Sequence, residues 1–475
     1  MTSFLSASAL ERLPTAIARP AYDRSVVDIG IVHFGPGAFH RAHQAWFFES
    51  LLAHDPRWGI SAISLRSKDV RDALRPQDNL YTLAVHDESL SHQVIGAIKE
   101  VLVAPESPEA VLQRLCAGTT HVVTFTVTEK GYCLGADGAL DITHPDIRKD
   151  LRNPRAPGSV VGFLTEALRR RRDAGLHPFT AISCDNLVDN GAKLARATAQ
   201  FAAACDVDLA KWIEREVTFP RTMVDSITPA TTDALKESVT HALGVRDRWP
   251  VQREAFVQWV IEDGFKHTVP DWARAGVTLT NDVAGYERAK LRLLNGAHST
   301  LAYMGLLEGH STVYEAMCDE PLHRFVKTLM TQDILPSLPA PRGLDLPRYI
   351  DSILKRFRNP TMHHALAQIA CDGSQKLPFR LLGVIREALV AGRSIDRLCV
   401  PLAAWMRFVL RAARAGERVN DPLAQQLLDI GCACEGRGAT DIPRFLTLHS
   451  VFPADLRTEM RFSQALARGY DRWAA

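Results

Sequence analysis

The chain has 475 residues, more than a single hydrophobic core usually serves, so two or three domains are expected. Hydrophobic residues make up 46% and charged residues 23%, the balance of a globular protein, and a net charge of +2 gives no electrostatic case for nucleic acid or an anionic membrane. No run of about eighteen apolar residues marks a transmembrane helix, no basic segment followed by an apolar core marks a secretory signal, and nine scattered cysteines fit reduced, buried thiols of a cytoplasmic protein.

In chain order, residues 1–25 form an arm rich in Pro and Arg. VVDIGIVHFGPGAFHRAHQAWFFESLL then reads as strand, turn and helix: Val27 to Val32 extended, Gly35 and Gly37 turning, Phe39 to Leu52 helical. Glycines in such a turn let backbone approach a pyrophosphate at a helix N-terminus. The third glycine of G-x-G-x-x-G is replaced by His40, and a tight turn without a ligand is the alternative. His40 and His43 resemble a metal-ligand pair, but a helix face or cofactor loop suits them better. A second strand, Gly59 to Arg66, is followed by Asp69, where a carboxylate accepts from the ribose hydroxyls of NAD. Arg66 and Lys68 are as well placed to neutralise the 2′-phosphate of NADP, and Asp69 also suits a helix N-cap.

Residues 92–104 and His121 to Tyr132 read as further strands. The latter puts Thr126, Thr128 and Glu129 at a carboxyl edge, where parallel sheets handle cofactors. PFTAISCDNLVDNG is the next strand. Asn186 stands at its exit, from which an amide reaches a substrate carbonyl; turn chemistry is the alternative. Val224 and Asp225 lie in an extended, proline-flanked segment. From Tyr286 onward helical periods dominate, so the domains are set at 1–285 and 286–475.

The stretch YERAKLRLLNGAHST, Tyr286 to Thr300, opens this helical half, with Leu291, Leu294, Ala297 and Leu301 as its buried stripe. Lys290, Asn295 and His298 sit among these apolar residues. In an α-helix Asn295 would lie about 140° and His298 about 80° round the axis from Lys290. A lysine in an apolar wall has a lowered pKa and exchanges a proton near neutrality. An asparagine amide beside it donates to a developing alkoxide, and a histidine orients a hydroxyl. The structural alternative is a snorkelling lysine, an asparagine C-cap before Gly296 and a core histidine. A polar interruption, NPTMHHALAQIACDGSQKLPFR, holds His364, Gln368, Asp372, Ser374 and Lys376. Neither H-E-x-x-H nor paired C-x-x-C occurs, so no metal is expected.

The motifs GPGAFHRAHQAW, TEKGY, SCDN, FPRTMVDSITP, KLRLLNGAHS and DGSQKLP, in this order, resemble the mannitol dehydrogenase family of polyol-specific long-chain dehydrogenases over nearly the whole chain. The resemblance implies an α/β Rossmann-type N-terminal domain, a mostly α-helical C-terminal domain, NAD as cofactor with NADP as the alternative, and no zinc. It implies Lys290 as general acid/base, Asn186 and Asn295 as donors to the reacting oxygen, and His298 as the residue orienting hydroxyl and lysine. Asp225 and Val224 match positions near substrate and nicotinamide, and Glu287 a carboxylate relaying protons to solvent. Gly35, Gly37, Phe39 and Arg41 match the pyrophosphate loop, and Asp69 the ribose contact. Lys68 stands where members preferring NAD tend to be acidic. His364, Gln368 and DGSQKLP resemble the fructuronate reductase branch, which implies D-fructuronate/D-mannonate as the substrate pair. Lys376, Arg380 or Arg356 would then supply a cation for the carboxylate. Mannitol or another polyol is the alternative substrate, and a non-catalytic NAD(P) sensor the alternative class. Membership suggests a monomer or homodimer.

Overall fold

The computed structural model describes residues 3–135, 137–362 and 364–473, in two compact units, Met1–Val283 and Ala284–Ala475. The first unit carries eleven strands: β1 (Ile29–Phe34), β2 (Gly59–Ser64), β3 (Tyr81–His86), β4 (Leu90–Ile95), β5 (Ile98–Val103), β6 (Val122–Phe125), β7 (Thr180–Ser183), β8 (Thr222–Asp225), β9 (Val251–Glu254), β10 (Gln258–Glu262) and β11 (Thr278–Thr280). Five of them form a wholly parallel sheet in the order β5-β2-β1-β6-β7. The chain therefore starts at the centre and winds outward both ways, the arrangement of a dinucleotide-binding domain. Two three-stranded sheets, β11-β10-β8 and β4-β3-β9, complete the unit.

A central parallel strand must be apolar on both faces, because helices cover both. β1 meets this demand: Ile31 points into a core with Ile60 and Trp259, whereas Val32 and Phe34 point into another with Ile63 and Phe125. The opposite faces follow from the two-residue period of a strand.

Several boundaries differ from the sequence expectation. The helix expected over 39–52 is two helices, Ala38–Ala42 and Gln44–Leu52, broken at His43 with φ −118° and ψ −87°. The strand expected over 92–104 is broken at Gly96 and Ala97 into β4 and β5, which join different sheets. The strand expected to reach Tyr132 ends at Phe125, and Glu129–Tyr132 is a 3₁₀ turn.

Among the described residues of the second unit, the regular elements are all helices, joined by loops. Its longest rod, Asp396–Ala415, packs against Gly296–Leu307, Ala424–Ala433 and Met460–Asp471. Three segments in this unit are π-helical: Lys290–Asn295, Leu329–Ile334 and Pro378–Leu382. Among the described residues, no helix is long and apolar enough to cross a membrane.

Gly35 shows why a glycine follows β1. Its φ is +91°, and a Cβ there would lie 2.1 Å from the Thr126 carbonyl oxygen. Gly35→Ala is expected to cost about 2–4 kcal/mol of stability. Calorimetry should show this as a lowered Tm; an unchanged Tm would mean that the turn relaxes freely.

Candidate active site

At β1 the parallel sheet divides, with β2 on one side and β6 on the other, and such a switch point leaves a crevice at the carboxyl ends of the strands. The loops that follow β1 and β6 are stitched together there. Thr126 Oγ1 donates to the Gly35 carbonyl at 2.7 Å. His33 Nε2 lies 2.9 Å from Thr126 Oγ1 and 3.2 Å from Gly35 O, and its Nδ1 lies 2.7 Å from Thr124 Oγ1. Because the Thr126 proton is already given to Gly35, Nε2 carries the imidazole hydrogen and Nδ1 accepts from Thr124. Burial pushes His33 down to about 3, so it stays neutral.

His40, in place of the third glycine, stacks on His33 with ring centroids 3.4 Å apart and planes 13° apart. Close helix–strand packing is thus achieved with two flat rings. Gly37 has φ −68°, and a Cβ there would find only Gly35 O, at 3.9 Å. The turn is therefore open above Gly37, which fits backbone approach by a pyrophosphate at the start of Ala38–Ala42.

Arg41 departs from its expected place at this loop. It is 1% exposed, donates through Nη1 to the Trp249 carbonyl at 2.6 Å, and lies over the rings of Tyr81 and Trp249. Burial lowers it to about 10. Its guanidinium holds the core rather than a phosphate. Phe39 stacks on His43 at 4.9 Å. Beyond β2, Arg66, Lys68 and Asp69 are all exposed. Asp69 is the first residue of the helix Asp69–Leu74, after Lys68, and its N–H donates to Ser67 Oγ at 3.0 Å, so the Asp69 carboxylate is not the N-cap.

At the ends of β6 and β7, Thr128 and Glu129 are exposed, as is Asn186. Two residues that sequence reasoning gave no role hold them. The Asp185 carboxylate accepts from Val127 N, Thr128 N and the Tyr132 hydroxyl. The buried Asn190 amide donates to the Ser183, Asp185 and Thr222 carbonyls and accepts from Thr222 N. It ties β7 to β8, in which Val224 and Asp225 are buried and paired with Trp259 and Gln258. A V-D-N-G turn gives no local hint of this; the partners are long-range.

In the second unit Lys290 does not sit on an α-helix. From Lys290 to Asn295 the ladder slips to i→i+5, with Gly296 N donating to Leu291 O. Residues five apart then fall on nearly one face, so Lys290 and Asn295 align more closely than α-helical spacing allows. Gly296 continues the helix with φ −62°, which removes the C-cap alternative. Lys290 is 9% exposed and His298 7%.

His298 stacks on Phe357 at 4.5 Å and meets His364 edge-on at 5.4 Å. Its buried Nε2 finds no hydrogen-bond partner within the protein. Burial holds its imidazole far below the ordinary range, and His364, Arg380, Arg356 and Lys290 add to the effect. Arg380, itself lowered to about 10 by burial, donates through Nη1 to Ser299 Oγ at 2.9 Å and Asn295 O at 3.4 Å.

Among the other candidates, Glu287 is half-buried one turn before Lys290, and Gln368 is exposed on Leu366–Ile369. Lys376 donates to the Cys371 carbonyl at 2.6 Å and lies 3.9 Å from Asp372. Its ammonium thus secures its own loop. His298 and His364 are in ring contact and Lys290 acts on His298, while Asn295 is tied to Arg380 through its carbonyl; Lys376 bonds within its own loop.

Burial holds the His364 imidazole at about 4, against about 6.5 for an exposed histidine. Between these values the unfolded chain binds a proton that the folded chain does not. The stability linked to this ring is therefore complete above about 6.5 and lost as pH falls toward about 4. Denaturant titrations across that window are expected to show falling stability, with a shallower fall in His364→Gln. An identical slope in the variant would mean that the ring titrates alike in both states.

Comparison with known proteins agrees with this organisation. Residues 29–274 match the mannitol dehydrogenase Rossmann domain, and residues 282–474 the mannitol dehydrogenase C-terminal domain. The uncharacterized oxidoreductase YeiQ of Escherichia coli is 41% identical over 471 residues, spanning 97% of this chain and 95% of that one. The D-mannonate oxidoreductase of Escherichia coli is 41% identical over 466 residues, spanning 96% and 95%. The mannitol 2-dehydrogenase of Pseudomonas fluorescens, solved as a ternary complex with NAD and D-mannitol, is 35% identical with a TM-score of 0.87, covering 98% of this chain and 96% of that one. Matched by both domains and similar over nearly its whole length, this chain belongs to the mannitol dehydrogenase family.

Proposed function

We propose that this member of the family is an NAD-dependent dehydrogenase of a linear sugar acid, with D-fructuronate and D-mannonate as the substrate pair. The observation that carries the substrate class is the basic surroundings of His298: Arg380 reaches Ser299 Oγ, beside His298 in sequence, at 2.9 Å, and Arg356 and Lys290 also act on the ring. A carboxylate gains from such a basic environment, and a neutral polyol does not. The similarity to D-mannonate oxidoreductase points the same way. The second reading, interconversion of a neutral polyol and its ketose, is favoured by the mannitol 2-dehydrogenase structure.

The glycine turn at Gly35, open above Gly37, suits NAD, which when bound exchanges a hydride with the substrate carbon. Lys290 takes the hydroxyl proton during oxidation and returns it during reduction. His298 is too weak a base to compete for that proton, since burial keeps it neutral, so its imidazole serves as a hydrogen-bonding group toward the substrate hydroxyl. Asn186 and Asn295 donate to the oxygen as its charge grows, at about 3 kcal/mol each. Asp225, Glu287, His364, Gln368 and Lys376 remain candidates for placing the substrate.

Oxidation of NADH followed by absorbance, with fructuronate, tagaturonate and fructose as substrates, tests the reading. The sugar acids are expected to exceed fructose in kcat/KM by about 10²-fold or more, the size of effect that one charge-assisted contact supplies. Equal rates with fructose would favour the polyol reading, and no turnover despite NADH binding would favour a sensor. Lys290→Ala is expected to lower kcat by about 10³-fold with NADH affinity retained; near-normal turnover would remove Lys290 from its role.

A further inference from the structure

Thr128 has a backbone that threonine rarely adopts. At φ +66° and ψ 163° it occupies a region populated essentially by glycine, and its β-branch makes the crowding worse. Such an outlier persists only where its surroundings over-determine it. Here they do. Thr128 N donates to Asp185 Oδ1 at 2.9 Å and Val127 N to Asp185 Oδ2 at 3.0 Å, so one carboxylate grips two successive peptide N–H groups. Tyr132 donates its hydroxyl to Asp185 Oδ2 at 2.7 Å and is 2.7 Å from Ser183 Oγ, which fixes the carboxylate itself. On the far side, Gly131 N donates to Thr128 O at 2.9 Å.

The position of this strained residue is informative. It lies three residues beyond β6, in the loop whose first residue, Thr126, is bonded to Gly35 O. It is thus at the edge where the sheet divides and where dinucleotides are handled. Thr128 is exposed, so nothing in its own packing demands the strained form. The strain is imposed by Asp185 on an exposed residue, Thr128, that follows Val127, which packs against the core.

We propose that the Val127–Thr128 segment is a cofactor contact held in its glycine-like conformation by Asp185, which acts as a positioning residue for dinucleotide binding. This rests on the NAD-dependent reading above. The carboxylate is suited to the task because both of its oxygens accept; an amide in its place accepts through one oxygen and turns an NH₂ toward the second peptide N–H. Without the grip, Thr128 relaxes toward negative φ and the segment leaves its place.

A double-mutant cycle on the full chain tests this, with NADH affinity by fluorescence titration, KM and kcat, and Tm as readouts. Asp185→Asn is expected to weaken NADH binding by about 10-fold and to raise the cofactor KM far more than it lowers kcat. Thr128→Gly in the Asp185→Asn background is expected to restore most of that loss, because glycine takes the required φ and ψ without help. Thr128→Ala in the same background removes the same hydroxyl but keeps the backbone penalty, and is expected to restore nothing.

Equal rescue by Gly and Ala, no rescue by either, or unchanged NADH affinity in Asp185→Asn would each overturn the proposal. Should Asp185→Asn fail to fold, Thr128→Gly alone decides. A Tm equal to or above that of the parent supports stored strain, and a Tm lowered as for an ordinary loop glycine overturns it. Absence of NADH binding by the parent chain would overturn the NAD-dependent reading itself, a result distinct from normal parental binding that Asp185→Asn leaves unchanged.

Discussion

A hydrogen-bond ladder that slips by one residue between Lys290 and Asn295 sets the arrangement of polar groups in the second unit. An α-helix keeps residues five apart on different faces, whereas an i→i+5 turn brings them together. The slip is not isolated. A Cβ on Gly296 would find Arg380 O, Leu381 and Ile334 within ordinary contact distance, and those residues belong to the two other π-helical segments or lie in their turns. Arg380 binds the first segment to the third through Asn295 O and Ser299 Oγ. An irregular turn is thereby clamped by a half-buried, charged donor, and its irregularity is held rather than tolerated.

Burial governs the acid–base character of both units. His33, His40, His298 and His364 are all pushed below the usual histidine range by loss of water. They therefore act as neutral hydrogen-bonding or stacking groups, and the proton chemistry proposed for this site falls to a lysine. In the first unit the neutral pair at His33 and His40 takes over what a third glycine does elsewhere, allowing helix and strand to close up at the cofactor turn.

Much of this was legible in the residues. The strand, glycine turn and helix around Gly35, the exit of β7 at Asn186 and the helical character after Tyr286 all follow from local periodicity and turn chemistry. What was not legible depends on distant partners. Arg41 reads as a phosphate ligand beside a glycine turn, but the Trp249 carbonyl and the rings of Tyr81 and Trp249, distant in sequence, draw it inward. Asp185 and Asn190 carry no assigned role in the sequence, and only the proximity of Thr128 and Thr222 reveals them as struts. The slip at Lys290 moves the start of the leucine stripe: Leu291, expected to be buried, is half-buried, and Leu293 is fully buried instead. A run in which Leu291, Leu293 and Leu294 are all apolar gives no local sign of that shift.

The slip at Lys290–Asn295 also fixes the length of the chain at that point. A π-helical turn amounts to one residue more than the surrounding rod needs. A chain one residue shorter there would heal into a regular rod with better-aligned carbonyls, and would rotate everything on one side of the join by about 100° relative to the other. The seam is therefore an addition that regularity would erase. Loss of a single codon between 290 and 295 would yield a smoother helix whose ends no longer agree about which way is inward.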